Sequence, residues 1–228
     1  MPLAFTQLSA ASASTSNTAT YAGNAGTPVA GDMLICFVTA SGNNSGSLTG
    51  TFTWNLLTSL ARGTDTIYVF WAYAATATST TPTFNSSSGN ATGSIISAVR
   101  IAGGTGTGTL HLRQFKISLT SNANPAIAMD NAILTGNGVL VYASNVLSST
   151  TQWTAPTGFT QISQVGYSTP TNSGQTAFAT SGITASTLTW TNANAGASVL
   201  VALEFYNDGA GPVNDHSSMG FFGGITSI

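Results

Sequence analysis

Few side chains in this sequence could do acid–base or metal chemistry. The carboxylates are Asp32, Asp65, Asp130, Glu204, Asp208 and Asp215; the imidazoles are His111 and His216; the one thiol is Cys36. Hydrolysis by a carboxylate pair needs two of these acids on either side of one bond. Asp32 follows Gly31, Asp65 follows Gly63-Thr64 and Asp208 precedes Gly209. Aspartates in such turns bond nearby backbone N–H groups, so all three read as turn residues. A nucleophilic serine would need His111 or His216 as its base. His111 lies in the strand-like run Leu110-His111-Leu112-Arg113-Gln114-Phe115 and His216 lies near the C-terminal end. Neither has a Gly-x-Ser-x-Gly elbow to serve. Two distant histidines and one cysteine inside an apolar run make no transition-metal cluster. Calcium held by loop oxygens is the metal chemistry that the residue types leave open, but without an EF-hand pattern. The chain therefore reads as non-enzymatic, with no catalytic residue and no cofactor.

Two further features resemble sites. The run Gly103-Gly104-Thr105-Gly106-Thr107-Gly108-Thr109 could suggest a phosphate cradle. A cradle needs a Lys-Ser/Thr or a helix start after the glycines, whereas a strand pattern follows here, so the run reads as a connector. The aromatics Trp54, Trp71, Trp153, Trp190, Tyr21, Tyr68, Tyr73 and Tyr167 could stack on sugars or fill a core of otherwise small residues. Trp54 and Trp153 occupy comparable places in the chain, which favours the core. A bound glycan would predict an exposed aromatic among the loops, for instance Tyr167 beside Gly166.

The elements that must position these residues are strands. Gly31-Asp32 opens the run Met33-Leu34-Ile35-Cys36-Phe37-Val38, and Gly136-Asn137 opens a second run, Gly138-Val139-Leu140-Val141-Tyr142-Ala143. Short apolar runs bounded by turn residues predict buried strands. Further strands are predicted at Thr51–Leu57, Ile67–Tyr73, from Pro82, at Ser94–Ile101, over Gln152–Ile162, at Gln175–Ala179, Thr187–Trp190 and Ser198–Phe205. Gly31 and Gly136, Phe84 and Trp190, and Ser94 and Ser198 recur at nearly one offset. This predicts an internal duplication with pseudo-repeats at about 21–102 and 110–206. Many short strands with Gly/Pro/Asn/Ser turns predict an all-β, antiparallel, jelly-roll-like β-sandwich. Either two Greek-key halves close one sandwich, or two sandwiches lie in tandem.

Composition narrows the function. Charged residues make up 4% of the chain, against roughly a quarter in ordinary globular proteins. A net charge of −2 with 42% hydrophobic residues fits a folded core rather than disorder. The surface must be built from Ser, Thr, Asn, Gln and Gly, which suits packing against copies of itself. Arg62, Arg100, Arg113 and Lys116 are the only cations, too few and too scattered for nucleic acid. Cys36 reads as a small buried hydrophobe, and a chain without a disulfide framework suits folding in a reducing cytoplasm. The N-terminus lacks the basic and apolar regions of a secretion signal, and no apolar run has the ~20 residues of a membrane span. Residues 207–228 form a predicted C-terminal arm, broken by glycines yet carrying Met219, Phe221, Phe222, Ile225 and Ile228. These five are candidate subunit-docking residues.

The pattern Gly31–Val38, Trp54–Leu57, Ile67–Tyr73, Ser94–Ile101, Trp153–Thr160 and Val199–Leu203 resembles a family of β-sandwich modules in tailed-phage virion proteins. The resemblance spans roughly Tyr21 to Tyr206. It implies a virion structural protein made in the host cytoplasm, either a capsid decoration (cement) subunit or a head-fibre component. With the neutral polar surface and the apolar tail, the expected partners are itself, as a homotrimer, and other virion proteins such as the major capsid protein. The alternative it implies is a tail-fibre module that binds host-surface glycan.

Overall fold

The computed structural model describes residues 3–42, 45–87, 89–103, 111–146, 153–168, 171–192 and 196–207. Most of the Gly/Thr connector and the arm beyond Asn207, with its five docking candidates, lie outside these. Among the described residues every regular element is a strand.

The first half contributes β1 (Ala4–Gln7), β2 (Ser12–Ser14), β3 (Thr20–Ala22), β4 (Met33–Ser41), β5 (Gly46–Thr49), β6 (Asn55–Arg62), β7 (Asp65–Tyr73), β8 (Thr83–Ser86) and β9 (Gly93–Ala102). The second contributes β10 (Leu112–Asn122), β11 (Ala126–Ala128), β12 (Gly138–Asn145), β13 (Trp153–Thr154), β14 (Thr160–Ser168), β15 (Thr171–Ala179), β16 (Thr187–Thr189), β17 (Thr191–Asn192) and β18 (Gly196–Phe205). The strand predicted from Thr51 begins only at Asn55. The stretch predicted as one strand over Gln152–Ile162 is split into β13 and β14 by a turn in which Phe159 N–H donates to Pro156 O at 3.0 Å.

The large sheets have one strand order: β1-β9-β4-β7-β6 in the first half, with β2 also on β9, and β10-β18-β12-β15-β14 in the second. The apolar runs β4 and β12 are the middle strands. In both halves the pairing is nested: β1 with β9, β3 with β8 and β4 with β7, then β10 with β18, β11 with β16 and β12 with β15. This wrapping is that of a jelly roll. β6 and β14 depart from it by joining the edge of the large sheet.

The layers explain why the central strands read as unbroken apolar runs. Alternate residues of β4 enter different cores, since side chains alternate across a strand. Met33, Ile35 and Phe37 face the second half, while Leu34, Cys36, Val38 and Ala40 pack under the small sheet β3-β8-β5 with Tyr21, Leu48 and Phe84. In the second half Leu140 and Tyr142 face the first half, and Val139, Val141 and Ala143 pack under β11-β16 and β13-β17 with Ile127, Trp153, Leu188 and Trp190. The molecule is thus four layers deep, two sandwiches joined by their large sheets.

The joint has pseudo-two-fold symmetry. The Phe37 ring stacks on Tyr142 at 4.8 Å with a 4° interplanar angle. Thr39 Oγ1 lies 3.2 Å from Ser144 Oγ, its counterpart 105 positions later. Residues meeting their own counterparts mark an isologous contact. β6 lies against β10, and β14 against β1, β2 and β9, as a two-fold axis along the central strands requires. Bulges fall at matching places, between Leu56 and Thr58 in β6 and between Gln161 and Ser163 in β14. Bulges re-aim side chains, and here the extra residues Leu57 and Ile162 pack on the core between the halves.

Candidate functional site

All four cations of the chain are matched one to one with carboxylates. The pairs are Arg62–Asp65 at 3.0 Å, Arg100–Asp32 at 2.8 Å, Arg113–Glu204 at 2.6 Å and Lys116–Asp130 at 2.5 Å. No described acid is thereby left as a free partner for a second carboxylate. Among the described residues no group of three or more His, Cys, Asp and Glu could hold a metal. Asp208, Asp215 and His216 lie outside the described residues.

The densest polar cluster is buried at the joint, where the hairpin ends of the two halves meet. Arg62 closes β6 and Asp65 opens β7; their counterparts Tyr167 and Asn172 lie at the matching end of the β14–β15 hairpin. Arg62 Nη1 donates to Ser144 O at 2.6 Å, and Nη2 donates to Asp65 Oδ2 and to Asn172 Oδ1 at 3.2 Å. Asn172 Nδ2 donates to the same Asp65 oxygen at 2.9 Å. The Tyr167 hydroxyl bonds Ser41 Oγ at 2.6 Å, and that of Tyr142 bonds Thr39 Oγ1 at 2.8 Å. All eight residues are buried. Ser97 Oγ adds bonds to Ser163 Oγ and Thr176 Oγ1 farther along the joint. Burial pushes the Tyr142 phenol up to about 12, with the Thr39 bond opposing. It pushes Tyr167 up as well, and it pulls the Arg62 guanidinium down against the opposing pull of Asp65. Parting a buried ion pair from its partners would leave an uncompensated charge inside the protein, and these partners come from both halves. The cluster therefore acts as a lock that fixes one half on the other.

Two sequence expectations are corrected by this arrangement. Asp65 accepts from the side chains of Arg62, across its own turn, and Asn172, rather than from nearby backbone N–H groups. Tyr167 is not an exposed loop aromatic but lies in β14 with its hydroxyl in the lock, so it offers no face to a sugar. Gly93 leaves room for its ring, since a Cβ there would sit against Tyr167. Arg62, Ser144 and Asn172 were not singled out from the sequence.

A second polar motif occurs twice, at the opposite end. Asp32 Oδ2 accepts from Val29 N–H at 2.8 Å, as expected of a turn aspartate. At the matching turn Asn137 replaces the acid, and Glu204 from β18 supplies the carboxylate. Its Oε1 accepts from Leu134 N–H at 2.9 Å and from Asn137 Nδ2 at 2.7 Å. Val29 and Leu134, whose amides are held in these turns, expose 53% and 47% of their surface. The described chain also stops at this end. Asn207 accepts from Leu3 N–H at 2.6 Å and donates to Gly136 O at 2.7 Å. The end opposite the lock thus presents two matched apolar side chains beside Asn207, the last described residue.

The other candidates are structural. Cys36 is fully buried and burial pushes its thiol up, away from thiolate reactivity. His111 is buried beside the start of β10, where its carbonyl accepts from Tyr206 N–H at 3.1 Å. Trp153 and Trp190 are buried in the outer core of the second half, and Trp54 packs on that of the first. Tyr21 and Tyr68 are buried in that same first-half core, while Trp71 packs half-buried on the core between the halves. Comparison of the chain with protein-family models, with curated proteins and with solved structures found no match.

Proposed function

We propose that this chain is a structural subunit of a bacteriophage particle, a capsid decoration (cement) protein or head-fibre component that works as a homotrimer. The observation that carries the reading is the two-sided design of the double sandwich. A buried lock makes one stiff block of two jelly rolls, and the opposite end offers Val29 and Leu134, beside Asn207, for contact with other chains. The engaged charges and the Ser/Thr/Asn surface support it, since copies can approach without strong electrostatic repulsion. The function is mechanical and needs no cofactor or catalytic residue. The arm residues Met219, Phe221, Phe222, Ile225 and Ile228 bury apolar surface on neighbouring subunits, and the major capsid protein is the platform. The alternative, a tail-fibre module binding host glycan, would need an exposed loop aromatic, and Tyr167, one such candidate, is buried.

The test is addition of purified chain to phage particles that lack a decoration protein, followed by sedimentation and heating. Saturable co-sedimentation and a raised rupture temperature are expected. Particles that stay bare at every concentration would overturn the reading.

A further inference from the structure

We propose that segment 217–228 of one copy adds as a strand to the free edge of β10 in a second copy. This deepens the structural-subunit reading and rests on it. β10 is an eleven-residue strand at the end of its sheet, paired on one side with β18. Long unprotected edges are templates for another strand. Its side chains make the edge one-sided. Gln114 and Lys116 bond Asn131 O and Asp130 on the outer face. Phe115, Ile117 and Leu119 share the inner face, where Ile117 reaches the core between the halves and Leu119 stays 52% exposed. Leu57 and Leu60 of β6, which lies against β10, are also only partly buried on that core. Among the described residues the sandwich is therefore open along this edge, with an apolar floor and a row of backbone groups beside it.

The arm fits that edge in pattern and in reach. Phe221-x-x-x-Ile225-Thr226-Ser227 repeats Phe115-x-x-x-Leu119-Thr120-Ser121, so the arm carries the pattern of a strand that sits on this sheet. The slots beside the closing strands of its own chain are filled, β9 by β1, β2 and β4, and β18 by β10 and β12. To reach its own β10 the arm would have to round the start of that strand and run parallel to it, because Phe205 lies opposite Leu112. On a second copy it can run antiparallel, the slightly stronger pairing. Residues 208–216, with Gly209, Gly211 and Pro212, can reach about 30 Å when extended. Donation from each copy to the next is head-to-tail, and a three-fold rotation closes it as a trimeric ring.

The test uses the full chain in three forms: Leu119→Cys, Ile225→Cys and the double variant. Cys36 is buried and stays silent. When the two single variants are mixed and mildly oxidised, a disulfide-linked dimer containing both is expected, and neither alone should give it. A double variant that closes its disulfide within one chain would overturn donation between copies. Absence of any cross-link, together with unchanged hydrogen exchange in β10 after truncation at Asn207, would overturn docking on this edge altogether. Light scattering separates this from the parent reading. An oligomer that survives truncation sinks the arm proposal alone, whereas an intact chain that stays monomeric sinks both.

Discussion

Arg62 places a guanidinium inside the protein, where an unpaired charge is far costlier than a paired one. Arg62→Leu should leave the Asp65 carboxylate buried against Asn172 without its cation and lower the unfolding free energy by about 3–5 kcal/mol. Arg62→Leu with Asp65→Leu should recover most of that loss, since two apolar side chains leave no buried charge. Urea unfolding of the three proteins checks this; a double variant worse than the single would show that the pair itself holds the halves. Tyr142 gives a pH test. Its folded value, about 12, lies above the ordinary 10.0, so the fold favours the protonated phenol. The stabilisation is complete below about pH 10 and is lost as the pH rises from there to about 12. At roughly 1.4 kcal/mol per pH unit this approaches 2–3 kcal/mol. Tyr142→Phe should flatten the fall of melting temperature between pH 9.5 and 11.5, and an unchanged slope would contradict the assignment. Neither residue could be found in the sequence as part of a site. Arg62 and Asn172 are 110 positions apart, and only the joint between the halves brings them together. The role of Asp32 was legible, because a turn aspartate bonds its neighbours whatever the rest of the fold does.

Elements were more legible than contacts, for a physical reason. β4 and β12 are covered on both faces, so every position is selected to be apolar or small and the run stands out. The edge strands β6 and β14 bury little and carry bulges, which break the alternation that marks a strand, and their starts were misplaced. Gly174 in β15 shows what such patterns hide. A Cβ there would sit against the Tyr142 hydroxyl and ring in the joint, so Gly174→Ala should cost on the order of 1–3 kcal/mol. Gly136→Ala, with open space around it, is the control and should be near neutral by thermal denaturation. Equal losses in both would argue against tight packing around Tyr142.

The molecule as a whole is two jelly rolls stacked through their large sheets about a pseudo-two-fold axis. The matching offsets of glycines and closing strands revealed two equivalent halves before any geometry was known. They could not reveal that the halves face each other, because facing is decided by contacts between residues about 105 positions apart. The lock makes the halves one body, and in the function proposed above the opposite end meets other chains. The most direct measurement of the central claim is the solution mass of the intact chain by sedimentation equilibrium over a wide concentration range. The account predicts an oligomer of three 23.0 kDa chains that falls apart when residues 208–228 are removed. A single 23.0 kDa species at every concentration would contradict it.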